Sequence, residues 1–107
     1  MGSRNVRETH NKQLRDSEVA AEYINQALES GDSSIILMAL RNIVEAQSDG
    51  ISGVASRANL GRESMYKMLS TNGNPKLSSL TSLLKSIGLQ LYVEPTKNIE
   101  SPTQRLS

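Results

Sequence analysis

The apolar residues between positions 50 and 69 constrain the fold of this chain more than any other feature. Two short apolar runs with helical spacing flank the tripeptide Asn-Leu-Gly at residues 59–61. The first run consists of Val54, Ala55 and Ala58, and the second of Met65, Met68 and Leu69. Asn59 tolerates the left-handed conformation that a tight turn requires, and small Ala55 lets two helix axes approach closely. The sequence therefore predicts two short helices that cross over a turn, with Leu60 inside it.

This predicted helix-turn-helix leaves charged and polar side chains on the outside of its second helix. In DNA-binding proteins with this motif, that face enters the major groove and contacts base edges and phosphates. We therefore predict a site for double-stranded DNA, which consists of Ser52, Gly61, Arg62, Glu63, Tyr66, Lys67, Thr71, Asn72, Asn74 and Lys76. An ordinary helical hairpin has the same apolar spacing, so this pattern alone does not decide the function.

The predicted contacts differ between these residues. Arg62 would contact a guanine edge or a phosphate, and Lys67 a phosphate. Tyr66 would donate to a phosphate or pack on a thymine methyl group. Glu63 would accept a hydrogen bond from cytosine or orient Arg62. Ser52 and the loop at residues 71–76 would contact the phosphate backbone.

The composition excludes several other kinds of site. The chain of 107 residues has no Cys, and its single His, His10, lies in a polar segment. We therefore expect no metal, no cofactor and no catalytic residue, and thus no enzyme. No apolar run reaches the roughly 18 residues that a membrane helix needs, so we expect no membrane contact. Because Phe and Trp are absent, stacking platforms for single strands are scarce, which favours duplex DNA.

Charge is distributed unevenly along the chain, although the formal net charge is only +1. Residues 49–94 carry five basic and three acidic side chains, whereas residues 16–32 carry five acidic and no basic ones. The basic half suits DNA, and the acidic half suits a basic protein partner. A protein-interaction module with weak DNA binding is therefore an alternative function, and two solvated faces without partners would have the same charges.

The rest of the pattern predicts three further helices and two tails. One helix begins at Asp16 or Ser17 and ends at Gly31, and a second covers about residues 34–47. A last helix begins at Ser78 or Ser79 and ends before Gly88. The expected organisation is a flexible tail at residues 1–15, a DNA-binding domain at 16–95 and a second flexible tail at 96–107.

A short strand is predicted after the last helix, because Leu89, Leu91 and Val93 alternate with polar residues. A single strand cannot satisfy its own backbone hydrogen bonds, and the chain offers no convincing second strand. Pairing with the same strand of another copy would give a homodimer through these three residues. Packing of an extended segment on the chain's own helices is an equal alternative.

The order of these features resembles the addiction-module antidote family, the HigA-type antitoxins with an Xre-like DNA-binding domain. The resemblance covers residues 16–95. It is most specific in the motif R-E-x-x-Y-K at residues 62–67, the G-N-P loop at 73–75 and the closing I-G-L-x-L at 87–91. It implies an all-α, five-helix domain like that of the lambda repressor, with a short C-terminal β-strand.

The resemblance also implies a function. Members of this family are cytoplasmic proteins that neutralise a RelE-like toxin encoded beside them and bind the operator of their own operon, usually as dimers. A solitary Xre-like repressor without a toxin is an alternative. This chain departs from the family pattern at Gly61, where Ser or Thr usually opens the recognition helix, and at Asn59, where Gly is usual. Glycine caps a helix less well, by a few tenths of a kcal/mol.

Overall fold

Six helices form the part of the chain that the computed structural model describes, residues 10–70 and 72–96. They are α1 (residues 10–14), α2 (Ser17–Ser30), α3 (Ser33–Ala46), α4 (Gly50–Arg57), α5 (Arg62–Met68) and α6 (Leu77–Ser86). The described residues contain helices and no strand, so the prediction of an all-α fold is confirmed, with one helix more than the sequence indicated. None of these helices has the length and apolarity required to cross a membrane.

Local capping sets the bounds of α2 and α3. The Asp16 carboxylate accepts from the backbone N–H of Glu18 and starts α2, and Gly31, at φ 71°, ends it. The Asp32 carboxylate starts α3 by accepting from the backbone N–H and the hydroxyl of Ser34. Hydrogen bonds from the Ser34 hydroxyl and, to a smaller extent, from its N–H lower the pKa of Asp32, because both stabilise the ionised carboxylate. The predicted caps at Asp16 and Gly31 are confirmed.

Helix α3 lies at the centre of the core. Ile43 and Val44 on this helix have no exposed surface, and neither have Val54, Met65 and Leu83 from the three helices that follow. Helix α3 packs against α2 and α4, and α4 packs against α5 and α6. Helix α4 thus connects α5 to the rest of the core. The position of α5 depends on its packing against α4.

The additional helix α1 comes from the segment assigned to the N-terminal tail. Its residue Leu14 is buried in the core, and the guanidinium Nε of Arg15 donates to the Ala46 carbonyl oxygen at 2.7 Å. His10 packs edge-on against Tyr23, with ring centroids 5.9 Å apart. The expectation of five helices was wrong because one buried leucine in a polar segment gives too weak a periodicity to indicate a helix.

The strand predicted at residues 89–93 does not form within the described residues. Leu89 packs against the core, and its N–H donates to the Leu84 carbonyl oxygen at 2.8 Å. Residues 90–94 make no backbone hydrogen bond in the described structure, and Leu91 and Val93 are exposed. Alternation of apolar residues creates a strand only where a second strand pairs with it, and the described chain supplies none.

The start of α6 also differs from the prediction. Helix α6 begins at Leu77, with Lys76 in the capping position and no side-chain cap. Neither Ser78 nor Ser79 caps it, because both lie inside the first turn. Gly88, at φ 83°, follows the end of this helix and takes the predicted left-handed conformation.

The turn between α4 and α5 has the conformation that the sequence predicts. Asn59 takes a φ of 59°, and it is the one non-glycine residue with positive φ in the described chain. The N–H of Leu60 donates to the Ala55 carbonyl oxygen at 2.8 Å, and the half-buried Leu60 side chain packs against the core. Helix α4, this turn and α5 therefore form a helix-turn-helix-like arrangement.

We predict that Asn59→Ala lowers the free energy of unfolding by about 1 kcal/mol, because the left-handed conformation strains a residue with a Cβ atom and no polar side chain. Asn59→Gly should leave stability unchanged or raise it. Urea denaturation followed by circular dichroism measures both. Gln26→Ala, at an exposed position of α2, is the control and should not destabilise the protein. Equal stability of the two Asn59 variants would contradict the argument.

Candidate nucleic-acid interface

Helix α5 presents one buried and one exposed side. Met65 and Met68 are buried, as is Leu69 directly after the helix. The exposed residues of this helix are Arg62, Glu63, Ser64, Tyr66 and Lys67. Since residues three and four positions apart share a helical face, packing of the two methionines turns the charged residues away from the core. Four of the five exposed residues belong to the predicted DNA site.

The other predicted site residues lie around the two ends of α5. Gly61 occupies the N-capping position with φ −66° and ψ 146° and supplies no side-chain cap. Ser52 is exposed in the first turn of α4. Asn72, Asn74 and Lys76 are exposed in the loop between α5 and α6. Thr71 lies outside the described residues.

An open groove of about 520 Å³ runs beside the C-terminal half of α5. It brings together Lys67 from α5 with Asn72, Asn74 and Lys76 from the following loop. Three further polar residues that the sequence did not assign to the site, Ser64, Ser70 and Ser79, also line it. Two ammonium groups with hydroxyl and amide donors around them form a surface suited to anions such as phosphates. Ser52, Arg62, Glu63 and Tyr66 lie outside this groove.

Arg62 and Tyr66 lie one helical turn apart on the exposed side of α5. The Arg62 guanidinium carbon lies 6.0 Å from the centroid of the Tyr66 ring, at the limit of a cation–π contact. No ion pair joins Arg62 to Glu63 in the described structure, so the predicted orienting role of Glu63 is not visible there. Arg62 therefore has the Tyr66 ring, and no carboxylate, as its side-chain partner in the described structure.

Three exposed cations on and directly after α5 are free of ion pairs in the described structure. The described residues form two ion pairs, Arg57 with Asp49 and Arg41 with Glu45. Arg62, Lys67 and Lys76 take part in neither pair. Since a cation already paired on the protein must lose its partner before it contacts a phosphate, these three side chains are the better candidates for binding an anion.

Gly73 holds the loop directly against the end of α5. A Cβ atom at this position would overlap the Met68 carbonyl oxygen and would lie 3.0 Å from that of Lys67. The Gly73 N–H donates to the Ser70 carbonyl oxygen at 2.9 Å. In the sequence this residue indicated only a turn, because a close approach between a loop and a helix end has no local signal. The absence of a side chain thus allows the loop that carries Asn72 and Asn74 to lie against the end of α5.

The described residues contain no group of three or more His, Cys, Asp or Glu side chains that could hold a metal ion.

The chain is similar to a known protein family and to a bacterial protein. A family model described as "Probable addiction module antidote protein" matches residues 7–95. The chain is 32% identical over 95 residues to an uncharacterized protein of Haemophilus influenzae, and the alignment covers 80% of this chain and 96% of that protein. No solved structure matches the chain. The family match includes every residue of the predicted DNA site.

We predict that Gly73→Ala lowers the free energy of unfolding by about 1–3 kcal/mol, because the added methyl group overlaps backbone atoms that cannot move without shifting the loop or the end of α5. Urea denaturation measures this change. An unchanged midpoint would mean that the loop does not lie against α5 as described.

Gly61→Ser is the matched glycine substitution at the other end of α5. A Cβ atom there meets only ordinary contacts, the closest being the Ser64 hydroxyl oxygen at 3.6 Å. The new hydroxyl can accept from the free N–H groups of the first turn, so we expect a gain of a few tenths of a kcal/mol. A loss of stability in the same urea experiment would contradict the description of Gly61 as an uncapped N-terminus.

Proposed function

The chain belongs to the family of probable addiction module antidote proteins, and from this premise we propose that it is the antitoxin of a type II toxin–antitoxin module that represses its own operon. In this proposal the domain is a repressor-like, Xre-like helix-turn-helix, and α5 is its recognition helix. The protein is cytoplasmic and neutralises a RelE-like toxin. It binds double-stranded operator DNA as a homodimer, and the two copies associate through Leu89, Leu91 and Val93.

The observation that carries the DNA-binding proposal is the exposed side of α5. Packing of Met65 and Met68 directs Arg62 and Lys67 outward, and neither cation is part of an ion pair in the described structure. Helix α5 is preceded by a tight turn and supported by α4, as a helix that enters the major groove must be. Its exposed residues are therefore the ones proposed to read the operator.

Two kinds of contact are proposed for these residues. Arg62 and Glu63, at the N-terminal end of α5, reach base edges, where an arginine recognises guanine through two hydrogen bonds. Tyr66 lies beside Arg62 and contacts a thymine methyl group or a phosphate. Base reading is thus assigned to the start of the helix, as in other proteins with this motif.

The groove beside α5 is proposed to hold the phosphate backbone. Lys67 from α5 and Lys76 from the following loop supply positive charge to it, and the other loop residues supply neutral donors. The remaining backbone contacts are assigned to Ser52, Gly61, Thr71, Asn72 and Asn74. Phosphate contacts fix the register of the protein on DNA and contribute equally to all sequences.

The acidic helix α2 supports the toxin-binding part of the proposal. Glu18, Glu22 and Glu29 are exposed, and their spacing of four and seven residues places them on one face. Within residues 16–32 no basic side chain neutralises them. A basic partner can therefore bind α2 while DNA binds α5. This same feature would remain if the protein were a protein-interaction module with weak DNA binding.

We predict that Arg62→Ala weakens binding to a duplex from upstream of the gene by about 1–3 kcal/mol and reduces the preference for that duplex over a scrambled one. Lys67→Ala should weaken binding to both duplexes equally. The slope of log K against log salt concentration should fall by about 1, as expected for the loss of one phosphate contact. Fluorescence anisotropy at several salt concentrations measures these effects.

The matched control is Lys85→Ala, which removes one exposed positive charge from α6 away from the groove. It should bind both duplexes nearly as the unmodified protein does. If the two duplexes bind equally weakly, and all three variants behave alike, α5 is not a recognition helix. The protein-interaction function would then be the better account.

A further inference from the structure

A second groove, of about 510 Å³, lies between α2 and the segment after α6. Ala21, Ile24 and Leu28 contribute apolar surface on α2, and Leu89 and Leu91 contribute that of the C-terminal segment. Glu29 and Glu94 also line the groove, one from each wall. Leu28 and Leu91 keep 47% and 46% of their surface exposed. Next to them, Tyr92 and Val93 are 79% and 90% exposed. Several large apolar side chains exposed this close together indicate a contact site.

The backbone along this groove lacks hydrogen-bond partners in the described structure. Residues 90–94 follow one another without a backbone hydrogen bond in the described structure. A segment with free N–H and C=O groups and alternating apolar residues is a template for pairing with another strand. The occupant must therefore offer both an extended backbone and apolar side chains.

We propose that this occupant is residues 90–94 of a second copy, which lie in the groove antiparallel to residues 90–94 of the first and pack against α2. The proposal rests on the proposed homodimer and adds α2 to its interface. A two-fold axis makes the contact reciprocal, so that each copy fills the groove of the other and no strand edge is left to extend the assembly.

The sequence of the segment is complementary to itself in this arrangement. In an antiparallel pair, residues directly opposite each other point to the same face, so odd-numbered residues must pair with odd-numbered ones to keep Leu89, Leu91 and Val93 together. With Tyr92 on the axis, Leu91 of one copy faces Val93 of the other. Gln90 then faces Glu94, so a neutral amide rather than a second carboxylate lies opposite each acid.

In this arrangement the partner segment contacts both walls of the groove, which are α2 and residues 90–94. The partner segment, placed about 4.8 Å from residues 90–94, occupies the space between them and α2. Its apolar residues then cover Leu28, which strand pairing alone would leave exposed. A change at Leu28 therefore separates the proposed arrangement from a dimer that pairs strands away from α2.

The absence of cysteine allows a direct test by disulfide cross-linking of the full chain. Tyr92→Cys lies on the proposed axis and should form a disulfide-linked dimer at micromolar concentration under mild oxidation. A mixture of Leu28→Cys copies with Val93→Cys copies should give a cross-linked heterodimer. Thr81→Cys, on the exposed side of α6, is the control and should remain monomeric. Cross-linking of Tyr92→Cys no faster than the control would overturn the proposal.

Analytical ultracentrifugation of variants tests the contribution of α2. Leu28→Glu and Val93→Asp should each raise the dimer Kd at least tenfold, and because both side chains are exposed, helical circular dichroism should persist. An unchanged dimer Kd for Leu28→Glu would overturn the placement against α2. The same holds if Leu28→Glu no longer binds a co-expressed toxin but remains dimeric. A monomeric protein that still needs Arg62 for operator binding would refute this interface and leave the DNA-binding proposal intact.

Discussion

Burial of Met65 is the contact on which the presentation of α5 depends. This side chain has no exposed surface, and a buried methionine typically contributes about 2–5 kcal/mol relative to alanine. Helix α5 has only seven residues, which is too short for a helix to be stable in water by itself. Its conformation and its orientation therefore both come from packing on α4, and that packing directs Arg62 and Lys67 away from the core.

Features controlled by neighbouring residues could be predicted from the sequence. Asp16 and Gly31 bound α2 because a capping carboxylate and a left-handed glycine act within one turn of the backbone. Asn59 was predictable for the same reason, since the turn requires a positive φ at one position. The exposed side of α5 followed from the spacing of its methionines, because helical periodicity assigns the opposite side to solvent.

Features controlled by distant contacts could not be predicted. Leu14 is buried in the core and Arg15 next to it donates to the end of α3, and nothing in their own segment indicates these contacts. Gly73 indicates only a turn in the sequence, because its close approach to the carbonyl oxygens of α5 depends on how the loop folds back. The strand at residues 89–93 depends on a pairing partner, which the described chain does not contain. In the candidate site, the roles of Ser64 and Ser79 likewise arise only when the groove is assembled.

The proposed function assigns different partners to different surfaces of one small domain, with DNA at α5 and protein partners at α2. The most direct test of its central claim is a titration of isotope-labelled protein with the upstream duplex, followed by backbone amide chemical shifts in NMR spectra. The account predicts that the largest shifts occur at residues 61–67 and 72–76, with little change in the exposed residues of α2. Shifts confined to α2, or no saturable shifts at α5, would contradict it.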